Sequence, residues 1–280
     1  MSHKFYLEKI YSKILEVYPF LNKNERFYFE KNARGVIERS LRDTKKDIKA
    51  LLDILKNPHA YLWVWKKPSL SHIRKKRKFS YNIKDRILSF VIPSWSGEVG
   101  ILEKKLIDVC VKNAKRYNGI IIDVRNNKGG NSRIAHRFAS IFFQDPYVYG
   151  KFIKRGDGGK LYSSLGKLNP NEEIFVSSPM VILISRKCCS SNELFLAPFR
   201  LSNRAVLVGQ PTRGGSGNPI VEEVTIKDKK IMVLVPTWRF FLKGQKRPIE
   251  ETKINPHILY TGANIKQFAR KILKERMSKE

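Results

Sequence analysis

Residues 119–131, Gly-Ile-Ile-Ile-Asp-Val-Arg-Asn-Asn-Lys-Gly-Gly-Asn, run from an unbroken apolar segment into a glycine turn. Three consecutive isoleucines leave no polar alternation, so Gly119–Val124 reads as a buried strand. Beyond Gly129 and Gly130 the pattern turns helical, over about 131–144. Glycines at a strand-to-helix turn let backbone N–H groups point outward, where an anion or oxyanion is stabilised. An ordinary connecting turn uses the same residues, so the pattern alone does not decide between them.

Working outward, the same alternation of elements continues. Ala60–Trp65 and Ile87–Ile92 read as strands rich in β-branched and aromatic residues, and 99–117 as a helix. Downstream come a polar stretch containing Gly156, Gly158 and Gly159, a strand at Met180–Ile184 and a helix over 191–202. A strand at 205–208, a Gly-rich loop over 209–218, a hairpin over 219–237 and a basic amphipathic helix over 263–277 complete the order. Strands interleaved with helices predict an α/β core. Residues 3–57 differ, carrying apolar positions such as Ile10, Ile14, Ile48, Leu51 and Leu52 at helical spacing. We therefore expect an N-terminal helical region, 1–57, and an α/β core, 58–280.

The 280 residues carry 55 Lys and Arg against 25 Asp and Glu, a formal charge of +30. Such a surface attracts nucleic acid, anionic lipid or acidic peptides. Lysines recur in every segment, however, and the densest cluster, His72–Lys78, also reads as a solvated loop. Nucleic acid is thus possible from charge without a motif to support it. No apolar run reaches the roughly 18 residues a membrane span needs. Charged residues interrupt the first twenty positions, which excludes a secretory signal and predicts a cytoplasmic protein unless its start is trimmed. Cys110, Cys188 and Cys189 form no disulfide framework and lack zinc-site spacing, so free thiols and no metal are expected.

Two further segments carry candidate chemistry. In Arg186-Lys-Cys-Cys-Ser-Ser-Asn-Glu193 a strand delivers Ser190 to the start of a helix, where a side chain is exposed beside open amides. A serine there is an N-cap or, with a base, a nucleophile. Gly209-Gln-Pro-Thr-Arg-Gly-Gly-Ser-Gly-Asn-Pro219 is a shaped loop that lacks the lysine of a phosphate-binding loop.

In this order the three segments resemble the carboxy-terminal processing (tail-specific) and tricorn core proteases, a family of serine peptidases. Its members show Asp-Leu-Arg-x-Asn-x-Gly-Gly, then Ser-Ala-Ser-Glu, then Gly-Glu-Pro-Thr-x-Gly. The counterparts here are Asp123–Gly130, Ser190–Glu193 and Gly209–Gly214. The resemblance implies a crotonase-like protease core and Ser190 as nucleophile. It also implies an oxyanion hole from the amides of Ser191 and of Gly129 or Gly130. Cys189, one residue earlier, is the competing nucleophile.

The tail-specific lysine position is occupied by Gly215, which removes a Ser–Lys dyad. The tricorn-like branch implies His59 as base instead. Its late glutamate motif falls on Glu250–His257 and implies Glu250 as orienting acid, with Glu251 the alternative. Lys253 and His257 replace that motif's glycine and aspartate. Pro58 replaces a relaying serine, so the relay is direct, runs through a hydroxyl such as Ser216, or is absent. The span between His59 and Asp123 is too short for a PDZ module, which makes this a minimal member. The expected activity is a serine endopeptidase acting on peptides or unfolded proteins without cofactor. The alternative is an inactive protease-like scaffold that binds peptides or nucleic acid.

Overall fold

The structure, a computed structural model, describes residues 3–39, 43–64, 78–215, 217–226 and 229–278. Three helices lead the chain: α1 (His3–Val17), α2 (Lys23–Glu38) and α3 (Thr44–Ile54). Then come β1 (Tyr61–Val64), β2 (Ser80–Lys84), β3 (Ile87–Val91), α4 (Leu102–Lys112), β4 (Gly119–Asp123) and α5 (Ser132–Ser140). Strands β5 (Tyr147–Arg155), β6 (Leu161–Leu168) and β7 (Met180–Ile184) lead to α6 (Ser191–Leu201) and β8 (Val206–Gly209). The chain closes with β9 (Ile220–Ile226), β10 (Lys229–Val235), β11 (Trp238–Leu242), α7 (Ile249–Thr252), β12 (Ile258–Leu259) and α8 (Ile265–Met277). Among the described residues no helix is long and apolar enough to cross a membrane.

The chain forms two compact units. The first holds residues 1–75, 151–164 and 215–241. Its helices start where the sequence supplies caps: Asn22 Oδ1 accepts the Glu25 N–H at 2.8 Å, and Asp43 Oδ1 accepts those of Lys45 and Lys46. A three-stranded antiparallel sheet, β1-β10-β9, presents Val224, Ile231, Val233 and Val235 to Ile14, Phe29, Ile48 and Leu52 of the helices. The helical region of residues 1–57 thus buries its apolar stripes against strands contributed from far along the chain.

The second unit holds residues 76–150, 165–214 and 242–280. Its sheet runs β12-β8-β7-β4-β3-β2, parallel except for the β2–β3 hairpin. Every residue of β4 and β7 is buried, as apolar strands in the middle of a sheet covered on both faces must be. One face receives Ile265, Ala269 and Leu273 of α8 against Ile121, Val181, Leu183 and Val208. On the other, Phe90 meets Phe138 of α5, which stacks on Phe195 of α6. This is the expected α/β core.

The polar stretch around Gly156 proves to be β5 and β6, which join β11 in a separate sheet of order β11-β5-β6. Five of the eight residues of β6 in succession are exposed, so no buried alternation marked it as a strand. The helix read over 99–117 ends at Lys112 and continues as a single 3₁₀ turn, Ala114–Arg116. Most of the basic cluster, residues 72–77, lies outside the described residues, as does Ser216.

Candidate active site

Between β7 and α6 the chain makes a tight turn whose last residue, Ser190, has φ 61° and ψ −135°. A side chain at positive φ costs on the order of 1–3 kcal/mol and persists only where its surroundings impose it. Glu193, 1% exposed, does so here. Its Oε2 accepts the Ser190 N–H at 3.1 Å, and its own N–H donates to the Ser190 carbonyl at 2.7 Å. Its Oε1 accepts the Thr212 hydroxyl at 2.5 Å and the Gly214 N–H at 2.8 Å. Thr212 Oγ1 in turn accepts the Ile254 N–H at 3.0 Å. One buried carboxylate therefore fastens the serine turn to the Gly-Gln-Pro-Thr-Arg-Gly loop, and through Thr212 to the 254 segment.

The Gly129-Gly130 turn lies directly against this serine. A Cβ on Gly129, φ 105°, would fall 2.6 Å from Ser190 Cβ and 3.1 Å from its Oγ. A Cβ on Gly130, φ 139°, would fall 2.5 Å from the Trp95 carbonyl carbon. The turn is held on both sides. Gly129 N–H donates to Asn127 Oδ1 at 2.8 Å, and Gly129 C=O accepts the Trp95 N–H at 3.0 Å. Asn192, fully buried, accepts the Trp95 indole N–H at 3.0 Å and donates to the Asn127 carbonyl at 3.2 Å. The N–H of Ser191, first residue of α6, has no intrahelical acceptor, and no described group accepts that of Gly130. The residue after Ser190 and the residue after Gly129 thus each carry an N–H with no backbone acceptor among the described residues. Asn127, Asn192, Trp95 and Thr212 carry this arrangement, and sequence reasoning missed all four; only the positions of Asn127, Asn192 and Thr212 inside the quoted motifs pointed toward them.

His59 belongs to the first unit, while Ser190 and Glu250 belong to the second. Asn57 Oδ1 accepts the His59 N–H at 2.9 Å, and the Asn57 carbonyl accepts the Ala60 N–H at 2.9 Å, so the residue before Pro58 shapes the histidine turn. His59 is buried, and a Cβ on Gly217 would approach its Nδ1 to 2.9 Å. Glu250 is the second residue of α7, with Oε2 buried, whereas Glu251 is exposed and pairs with Arg247 at 3.8 Å. The Glu250 backbone borders the loop at Gly214, where an added Cβ would come 3.3 Å from the Glu250 carbonyl oxygen. Among the described residues no group of three His, Cys, Asp or Glu side chains is gathered to hold a metal.

Residues 86–260, more than half of the chain, match the sequence model of peptidase family S41. The chain belongs to peptidase family S41. It is accordingly a serine-type peptidase, a hydrolase acting on peptide bonds. Its fold is similar to that of a Parabacteroides merdae protein assigned as a peptidase, at TM-score 0.71 and 20% identity, covering 99% of this chain and 96% of that one. A lipoprotein from Streptococcus agalactiae is similar at TM-score 0.66 and 20% identity, covering 99% and 97%. Mature CPAF is similar at TM-score 0.56 and 14% identity, over 76% of this chain and 59% of that one.

Against the S41 pattern, two departures have visible consequences. Lys253, where the family has glycine, keeps the positive φ of 56° that glycine adopts freely. His257 is structural: its Nδ1 accepts the Leu207 N–H at 2.9 Å and its Nε2 lies 3.1 Å from the Arg200 carbonyl, helping to seat β12 beside β8. The cysteines are thiols, with no disulfide among them. Burial, reinforced by the Glu193 charge, pushes the Cys189 thiol up to about 12, away from the thiolate form in which a cysteine is nucleophilic. Cys188 Sγ accepts the Ser185 N–H at 3.3 Å and donates to the Val124 carbonyl at 3.2 Å. A small side chain that is both weak donor and weak acceptor suits that buried turn.

His136 lies on α5, its Nε2 2.9 Å from the Tyr149 hydroxyl, and burial lowers its pKa to about 4. The unfolded chain binds this proton more readily, at about 6.5. The stabilisation is therefore complete above the unfolded value and is lost as pH falls toward 4. Denaturant midpoints measured between pH 7 and 4 are expected to fall on acidification, and His136→Asn to flatten that slope.

Proposed function

We propose that this S41 member is a serine endopeptidase in which Ser190 attacks a peptide carbonyl while His59 takes its proton. The histidine then protonates the leaving amine as the C–N bond breaks, and water, deprotonated by the same histidine, hydrolyses the acyl-enzyme. Glu250 stabilises the imidazolium; its buried carboxylate oxygen favours it over the exposed Glu251. The amides of Ser191 and Gly130 hold the oxyanion, because the Gly129 N–H is already taken by Asn127. No metal or cofactor enters the reaction.

The observation that carries this reading is the Ser190 turn itself. A serine held at positive φ by a buried glutamate, against a glycine that leaves room for its side chain, is an arrangement with a conformational cost that an N-cap does not require. A fluorophosphonate probe is expected to label the wild-type chain and to leave Ser190→Ala unlabelled. His59→Ala is expected to slow labelling by about 10²–10⁴-fold. Absence of labelling in the wild type, together with no peptide release from a library, would sink the mechanism and favour a binding scaffold.

A further inference from the structure

Among the described residues, helix α8 covers only part of its face of the central sheet. Its apolar cluster runs from β8 through β7 and β4 to Ile87 at the start of β3, and the rest of the β3–β2 hairpin extends beyond it. Two contiguous hollows of about 330 and 270 Å³, sharing Ser80, Val91 and Asp123, occupy this uncovered part. They form a groove at the carboxyl ends of β3 and β4, the end of a parallel sheet where ligands commonly bind. Its far end is lined by Asn126, three residues before Gly129 of the proposed oxyanion turn.

The lining is polar where a covered sheet face would be apolar. The strand register sets Asn82 beside Ser89, and Ser80 beside Val91 and Asp123. The side chains of Ser80, Asn82 and Ser89 have no partner among the described residues and are open to a ligand. The rim is basic: Lys266 and Arg270 on the α8 side, Lys78 at the other end. Arg270 Nη1 is buried without a hydrogen bond and forms an ion pair with Asp85 at 3.5 Å, which leaves the rest of its guanidinium for the groove. Asp123, the acid on the floor, is already forked by Arg125 at 2.9 and 2.7 Å, so its charge is matched.

We propose that this groove binds an acidic peptide segment, its carboxylates taken by Arg270 and Lys266 and its amides by the Ser80–Asn82–Ser89 floor. The inference rests on the peptidase reading and names its substrate class: chains with Asp or Glu near the bond cleaved at Ser190. Hollows of this size admit a few side chains of an extended peptide, and the serine and asparagine floor pairs with amides, which favours a peptide over nucleic acid.

Binding is read with the full-length Ser190→Ala chain, by fluorescence anisotropy of a labelled Glu-rich peptide and of its Gln-substituted twin. The acidic peptide is expected to bind about tenfold more tightly, the equivalent of about 1.4 kcal/mol. Lys266→Gln with Arg270→Gln is expected to erase that preference. Lys104→Gln with Lys105→Gln, an equal charge change on the exposed side of α4, is expected to keep it. Thermal melts of both double variants identify any that has not folded, and the single variant Arg270→Lys then carries the test. Equal affinity for the twins, equal loss in both double variants, or displacement by single-stranded oligonucleotide but not by acidic peptide each overturns the proposal. Ser190 reactivity is read separately by probe labelling of the wild type, so the groove and the mechanism fail independently.

Discussion

Glu193→Ala is expected to lower unfolding free energy by about 3–5 kcal/mol and to abolish probe labelling of Ser190. The carboxylate accepts from the Ser190 N–H, the Thr212 hydroxyl and the Gly214 N–H, and it is almost wholly buried. Truncation leaves these donors without an acceptor, at on the order of 1–3 kcal/mol each before relaxation. Against a typical total of about 5–15 kcal/mol, that is a large share. Glu193→Gln separates stability from geometry. Its amide oxygen can still serve Thr212 and Gly214, but its NH₂ then faces the Ser190 N–H, donor against donor. Stability is expected to fall by about 1–3 kcal/mol in urea titrations, while labelling slows at least about tenfold as the serine turn relaxes toward ordinary φ. A Gln variant with the wild-type labelling rate would show that Glu193 supports the core without setting the Ser190 conformation.

Gly129→Ala is expected to reduce kcat/KM by about 10²–10³-fold, the loss associated with removing one oxyanion donor. The new methyl would overlap Ser190 Cβ at 2.6 Å and the Cys189 carbonyl oxygen at 2.9 Å, and the φ of 105° is itself strained for alanine. The serine, the turn or both must move. Because Gly129 packs against Ser190 and precedes Gly130 in the same turn, either movement shifts the proposed nucleophile relative to the proposed oxyanion donor. Gly158→Ala is the matching control: its φ of 64° is also positive, but nothing lies within 4 Å of the added carbon. It is expected to cost about 1 kcal/mol of stability with kcat/KM unchanged. Equal kinetic effects of the two substitutions would mean that the methyl's collision with Ser190 has no catalytic consequence.

The local part of this structure was legible in the residues themselves. Gly119–Asp123 and Met180–Ile184 are buried strands because uninterrupted Ile, Val and Leu leave no face for water. The helix after Ser190 begins where a serine precedes a glutamate by three residues, a spacing that works through neighbouring backbone alone. The order of the three motifs followed from the same chain. What the residues could not show depends on partners distant in sequence. Asn192 looks like one more polar residue until it meets Trp95, 97 positions away. Cys189 reads as an ordinary thiol until burial beside Glu193 raises its pKa. The two glycines of the turn are equivalent until Asn127 takes one amide and leaves the other open. The strand β6 and the shared core of α1–α3 with β9 and β10 were invisible for the same reason, since their pairing surfaces come from remote segments. Periodicity and capping are short-range and are written in consecutive residues; hydrogen-bond satisfaction, burial and thiol acidity belong to the assembled interior, and only the tertiary structure decided them.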